Sequence, residues 1–341
     1  MPRRATIIEV ALEAGASKTS VSRYFAGERD KLSPALCERI AAAALRLDYR
    51  PNQMARGLKA GRSRLIGMLV ADIRNPFSVA VLHGVERACR EQGLSLLVCN
   101  TDNDPELERT HLALMSSYQV EGLIINASGS PDTELQALTG QGLPLVLLDR
   151  ELGAVQADLV GLDNAKAIDL ALDHLAEQGY RELLYLSEPP ERASPRRERL
   201  TRFQAGLAAR RLAGEAYTMS ASDDELARAI EAFLTRSAPK GSGDLPRALL
   251  CANGAVTLAA TRALQRLGAR LGKTGLMGID ELDWCALIDP GITTLAQPTE
   301  TIGRQAVASL LANSVSQAAA EPRQHRFEPR LIARGSTRLT G

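Results

Sequence analysis

Apolar positions follow two rhythms along the chain. Over the first 50 residues they recur at helical spacing, with Ile7, Val10, Ala11 and Ala14 as one stripe and Ile40, Ala43, Ala44 and Leu47 as another. Gly15 ends the first stripe, as a residue at positive φ would end a helix. Ser17 is a good N-cap for a second helix over 18–25, whose Val21 faces back toward the first. Ser33 and Pro34 form a start signal for a third helix over 33–47. Two short helices about a tight glycine turn predict a helix-turn-helix. From Leu65 the rhythm changes. Short apolar runs at 65–70, 94–99, 122–125, 145–148, 183–186, 248–251 and 275–279 read as strands. They alternate with helical stretches at 79–92, 106–118, 135–139, 165–178, 197–209, 227–234 and 258–267. The runs lack polar alternation, so helices should cover both faces of the sheets. The pattern predicts an all-α head followed by an α/β body of doubly wound parallel sheets in two lobes.

Charge follows the same division. Residues 1–62 hold 12 Lys/Arg and 6 Asp/Glu, a balance of +6, whereas the remainder holds 29 and 34, a balance of −5. A basic head on a mildly acidic body fits a polyanion-binding module joined to something else. The predicted second helix gives that charge a purpose. Lys18, Thr19, Ser20, Ser22 and Arg23 place hydrogen-bonding groups on one short rod, which suits a major groove. The stretch 53–64 is short, basic and poor in apolar anchors. It could fold on DNA, with Leu58 as a wedge in the minor groove.

Several classes are disfavoured. No run approaches the ~20 apolar residues of a membrane helix, and no apolar secretory segment follows the basic start, so a cytoplasmic location is expected. The five cysteines and four histidines are scattered without a CxxC pair, so neither a disulfide framework, a metal site nor a cofactor is expected. Neither GxSxG, a P-loop nor a Gly-rich dinucleotide fingerprint occurs, and an enzyme is not expected.

The order Val10-Ala11, Ala14-Gly15, Ser17, Ser20-Val21-Ser22-Arg23, and then Tyr49, Pro51-Asn52, Ala55 and Leu58, resembles the LacI/GalR family of bacterial transcription repressors. The resemblance runs from Thr6 to Arg64 and continues through the body. It implies base contacts from Lys18, Thr19 and Arg23, and phosphate-side roles for Thr6, Ser17, Ser22 and Asn52. It makes 52–60 a hinge helix that includes Ala55, with Leu58 inserting at the operator centre beside Lys59. The implied domains are a head over 1–51, a hinge and linker over 52–63, and an effector-binding and dimerisation body over 64–341. The N-lobe would comprise about 64–162 and 293–322, the C-lobe about 163–292 and 323–341. Two departures stand in the head: Ala16 where the family usually has Val, and a slightly longer loop at 27–32.

In open parallel sheets a ligand binds beyond the carboxyl ends of the strands. The loops there carry carboxylates, amides and two aromatics, Phe77 and Trp284. The resemblance makes Asn75-Pro76-Phe77 the first-lobe pocket loop and Arg199 the arginine that grips the effector. It adds Asn253 and Asp280 as pocket positions and Gln297-Pro298 as a late crossover. The candidate effector residues are Phe77, Ser78, Asp149, Arg150, Arg197, Arg199, Asn253, Asp280 and Trp284. Gly254 stands where the family commonly has Asp, while Arg150, Arg196, Arg197 and Arg199 add positive charge. Arginine forks suit planar carboxylates, so a sugar acid is favoured over a neutral sugar. Residues 72–86, 98–122 and 280–284 resemble repressors of 2-ketogluconate utilisation.

The resemblance further implies a homodimer on a palindromic operator, with Val81, Leu82, Val85 and Cys89 on the helix after Phe77 contributing to the dimer contact. No leucine-heptad tail follows residue 317, so a tail-made tetramer is not expected. Effector binding should release DNA. A corepressor that tightens DNA binding is the alternative within the family, and a solute-binding protein the alternative outside it.

Overall fold

The computed structural model describes residues 5–50, 63–126, 132–152, 155–219, 222–236, 245–315 and 321–339. The chain divides into two compact units, residues 1–63 and 64–341.

In the first unit, helices α1 (Ile7–Glu13), α2 (Lys18–Ala26) and α3 (Pro34–Arg46) enclose Val10, Ala11, Ala14, Val21, Ile40, Ala43 and Ala44. Each helix begins on a side-chain cap. Thr6 and Glu9 form a reciprocal capping box on α1, Ser17 Oγ accepts from Ser20 N at 3.0 Å, and Ser33 caps α3. Gly15 has φ +58, a left-handed turn that a side chain would strain. Arg39 from α3 donates to the carbonyls of Ala14 and Gly15 at 3.1 and 3.0 Å. It thereby satisfies the carboxyl end of α1 and fixes the turn. The longer loop contains a 3₁₀ turn, Arg29–Lys31, with the Arg29 guanidinium 4.4 Å from the centre of the Tyr24 ring.

The second unit holds two six-stranded sheets. The first is all parallel, in the order β11 (Gln324–Phe327), β5 (Asp158–Leu162), β4 (Leu145–Leu148), β3 (Leu123–Asn126), β1 (Leu65–Val70), β2 (Ser95–Asn100). The second runs β12 (Arg330–Ile332), β10 (Thr293–Ala296), β9 (Gly275–Ile279), β8 (Arg247–Cys251), β6 (Glu182–Ser187), β7 (Ala213–Thr218). Within it β12 alone is antiparallel to its neighbour. Helices α4 (Pro76–Glu91), α5 (Pro105–Ser117), α6 (Asp132–Gly140) and α11 (Thr299–Val315) belong to the first lobe; α7 (Asn164–Glu177), α8 (Ser194–Ala209), α9 (Asp223–Thr235) and α10 (Gly254–Arg266) belong to the second. Each sheet has a buried apolar cluster on either face, as uninterrupted Val/Leu/Ile runs require.

Two of the expected lobe boundaries need correction. Strand 293–296 pairs with β9 and belongs to the second lobe, and strand 324–327 pairs with β5 and belongs to the first. The chain therefore passes between lobes after residues 162, 296 and 327. Three of the four expected dimer-contact residues are corrected too, while Leu82 is half-buried. Val81, Val85 and Cys89 are fully buried in the first-lobe core against Ile302 and Ala306 of α11. Their spacing serves this helix pair, which approaches so closely that a Cβ on Gly303 would lie 2.6 Å from Val81 O. The expected hinge residues Asn52, Ala55, Leu58 and Lys59 lie outside the described residues.

Candidate functional site

In the head, α2 buries Val21 and exposes Lys18, Thr19 and Arg23, of which Thr19 and Arg23, two residues either side of Val21, lie on the opposite side. Ser22 is half-buried. Its side-chain spacing from Lys18, four residues apart, brings the two onto one face. Ser17 and Thr6 are exposed and already serve as helix caps. Such caps leave the first-turn amides facing outward, where a phosphate can meet them.

The body has a cleft that opens to solvent. Its polar walls come from the carboxyl ends of strands in both sheets: Asp149 and Arg150 follow β4, Asn253 follows β8, Asp280 follows β9 and Gln297 follows β10. Asn75 and Phe77 enter from the start of α4, and Arg196 and Arg199 from the first turns of α8. Asn75 caps α4 through Phe77 N at 3.0 Å, which turns the buried Phe77 ring inward.

Two carboxylates sit on strained backbone. Asp149 has φ +66 and Asp280 has φ +84, in the left-handed region that non-glycine residues seldom occupy. Each reverses the chain sharply as it leaves its strand, at a cost of about 1–3 kcal/mol. The hydrogen bonds around Asp280 show what holds it there. Its Oδ2 accepts from Gly254 N at 2.9 Å and its Oδ1 from Gln297 Nε2 at 2.6 Å. The space beside Gly254 is taken by Leu282, which a Cβ on Gly254 would approach to 2.7 Å. Asp149 behaves differently. Burial pushes its carboxyl pKa upward, against the pull of Arg199 and Arg150, and its Oδ1 is buried without a hydrogen-bond partner. Gln297 Oε1 is a second such acceptor at the cleft.

The arginines are positioned by acceptors of the protein itself. Arg199 is buried and donates from Nε to Asn164 Oδ1 at 2.7 Å and from Nη1 to Ala252 O at 2.6 Å. Arg196 Nη2 donates to Glu188 Oε2 at 2.5 Å. Arg150 reaches Asn103 Oδ1 at 3.4 Å, and burial lowers its pKa against the opposing effect of Asp149.

Of the nine effector residues expected from the sequence, Phe77, Asp149, Arg150, Arg199, Asn253 and Asp280 line this cleft. Three do not. Arg197 is exposed on the far side of α8, one residue out of register with Arg196, which takes its place. Trp284 packs into the second-lobe core beside Cys285. Ser78 is buried in the first turn of α4 without lining the cleft. Arg196 and Gln297 were visible in the sequence as a basic cluster and a crossover, but neither carried a signal that set it apart from its neighbours.

Residues 6–52 match the family described as bacterial regulatory proteins, lacI family, and residues 172–337 match the periplasmic binding protein-like domain. The chain is 53% identical to the HTH-type transcriptional regulator PtxS of Pseudomonas aeruginosa over 99% of its own length and 97% of that protein's. It belongs to the LacI family. As a LacI-family member it is a DNA-binding transcriptional regulator. The HTH-type transcriptional regulator KdgR of Bacillus subtilis is 38% identical over 97% of both chains. The fold matches a crystal structure of the lac repressor dimer bound to operator and the anti-inducer ONPF, with a TM-score of 0.82, 23% identity and coverage of 98% of this chain and 99% of that one. It also matches a complex of the transcriptional regulator CelR with cellobiose, with a TM-score of 0.69, 25% identity and coverage of 98% and 100%. Among the described residues no group of three or more His, Cys, Asp and Glu could hold a metal ion, and no helix is long and apolar enough to cross a membrane.

Proposed function

We propose that the chain is a cytoplasmic, non-enzymatic repressor of a sugar-acid catabolic operon, released from its operator when an acid of the 2-ketogluconate type enters the cleft. The observation that carries the acid reading is the charge of the cleft wall. Arg150, Arg196 and Arg199 line it against Asp149 and Asp280. Burial pushes the Asp149 carboxyl pKa upward against the pull of Arg199 and Arg150. Guanidinium forks recognise planar carboxylates, and Asp280 and Gln297 supply partners for hydroxyls.

In this reading Lys18, Thr19 and Arg23 read base edges, while Thr6, Ser17 and Ser22 meet phosphates. Asn52, Ala55, Leu58 and Lys59 complete the DNA contact. One head offers few base-reading side chains, so a homodimer on a palindromic site supplies the needed specificity. Operator-bound dimers are documented for the lac repressor relative. Coupling between head and body passes through the joining segment, residues 52–63.

Calorimetric titration with 2-ketogluconate, gluconate and neutral hexoses tests the effector class. Saturable heat with the acids and none with the hexoses is expected. Binding of a hexose, with no heat from either acid, would sink the acid reading.

A further inference from the structure

Glu188 is the first residue beyond β6, on the same strand-end rim that forms the cleft. One of its oxygens, Oε2, takes two donors of the cleft wall, Arg196 Nη2 at 2.5 Å and Asn253 Nδ2 at 2.7 Å. Both donor residues line the cleft. Asn253 is anchored independently of Glu188, because its Oδ1 caps α10 by accepting from Val256 N at 3.0 Å. The two donors therefore converge on one carboxylate-sized position, and the protein's own carboxylate occupies it.

Glu188 is poorly matched to that position. It meets the guanidinium through a single nitrogen, whereas a carboxylate lying in the plane of the fork can take two parallel bonds. Its side chain is also 36% exposed, against 18% for Arg196, so it borders water and has somewhere to go. An ion pair whose carboxylate borders water is partly screened and contributes little net stability. A ligand carboxylate held by further hydroxyl contacts can outcompete such a pair, while a neutral hydroxyl cannot replace its charge.

We propose that Glu188 is an internal stand-in for the effector's carboxylate, and that its displacement from Arg196 and Asn253 sets the affinity of the cleft for acids. This rests on the acid reading of the cleft given above and adds the residue that tunes it. Glu188 acts against binding: it competes with the acid instead of contacting it.

The test uses the full-length protein with Glu188→Gln, which keeps side-chain length and one acceptor for Asn253 but removes the charge, and with Glu188→Ala, which removes the competitor altogether. Each is titrated calorimetrically with 2-ketogluconate, gluconate and the neutral isostere gluconamide, and thermal unfolding verifies the fold. Both variants should bind the acids about 10-fold more tightly than the wild type, equivalent to about 1.4 kcal/mol, with gluconamide binding unchanged within about twofold. Variants that gain acid binding absent from the wild type would support the assignment equally. Acid binding that is unchanged or weakened in both variants overturns it, and weakened binding would make Glu188 a ligand contact. The wild-type titration judges the acid reading separately. Acid binding by the wild type with unaltered variants removes only the Glu188 assignment, whereas silence from all three proteins removes both.

Discussion

Replacing Arg23 by alanine is expected to abolish selective operator binding while leaving the protein folded. Arg23 is exposed on α2, six residues beyond its Ser17 cap, and the helix is held from its other face by Val21 in the head core. Removing the side chain takes nothing from that core. A bidentate base contact discriminates by about 1–3 kcal/mol. With one contact in each of two half-sites, selectivity should fall by roughly 30-fold to more than 10⁴-fold. Non-specific affinity should weaken only modestly, because most phosphate contacts remain. Fluorescence anisotropy with an operator duplex and a scrambled competitor measures both quantities. Preserved selectivity would remove α2 as the reader.

The second large effect is expected at Arg199. Alanine there removes a buried guanidinium that ties Asn164 to the Ala252 carbonyl behind the cleft wall. A hydrogen bond to a charged group contributes about 1.5–3 kcal/mol, and a stranded buried acceptor costs a similar amount. Acid affinity should therefore drop by roughly 100-fold or more, and the body should unfold at a lower temperature. The head is a separate compact unit with its own core, so operator affinity without the acid should persist. The variant should hold DNA at acid concentrations that release the wild type. Calorimetry reports the lost affinity, scanning calorimetry the lost stability, and anisotropy the retained grip. Acid release as in the wild type would exclude Arg199 from the effector site.

Most of the fold can be read directly from the sequence because its elements obey local rules. The glycine turn and serine caps of the head are short-range chemistry, and α1 to α3 lie within a residue or two of their expected bounds. Strands buried on both faces appear as uninterrupted apolar runs, which made β1, β3, β4, β8 and β9 visible. Four strands were not read from the sequence. β7, with Gly214 and Glu215, is an exposed edge strand, and β11 carries Gln324 and Arg326 among few apolar residues; β5 and β10 are buried but open on polar residues, Asp158 and Thr293-Thr294. Helix α11 is buried around much of its surface by α4 and the first sheet, so it has no clean polar face to mark it. The misplaced lobe boundaries have the same origin. Which sheet a crossing strand joins depends on long-range pairing, and pairing partners leave no trace in local composition.

The site was legible in its strand-end residues, since Asp149, Asn253 and Asp280 each follow an apolar run directly. It was illegible where helical phase decides the outcome. Arg196, Arg197 and Arg199 lie within one turn, and only the packing of α8 turns Arg196 and Arg199 inward and Arg197 outward. Trp284 was a candidate effector residue in a strand-end loop, but a 3₁₀ turn, Asp283–Ala286, folds it against the second-lobe core.

The central claim is that one small acid in the cleft and one operator at the heads are linked. A reciprocal titration tests it most directly: operator affinity measured with and without saturating 2-ketogluconate, and acid affinity measured with and without operator duplex. Linkage requires the same factor in both directions, about 5–150-fold for a typical coupling. Each ligand is expected to weaken the other by one common factor in that range. Operator affinity that stays the same or tightens at saturating acid would contradict the account.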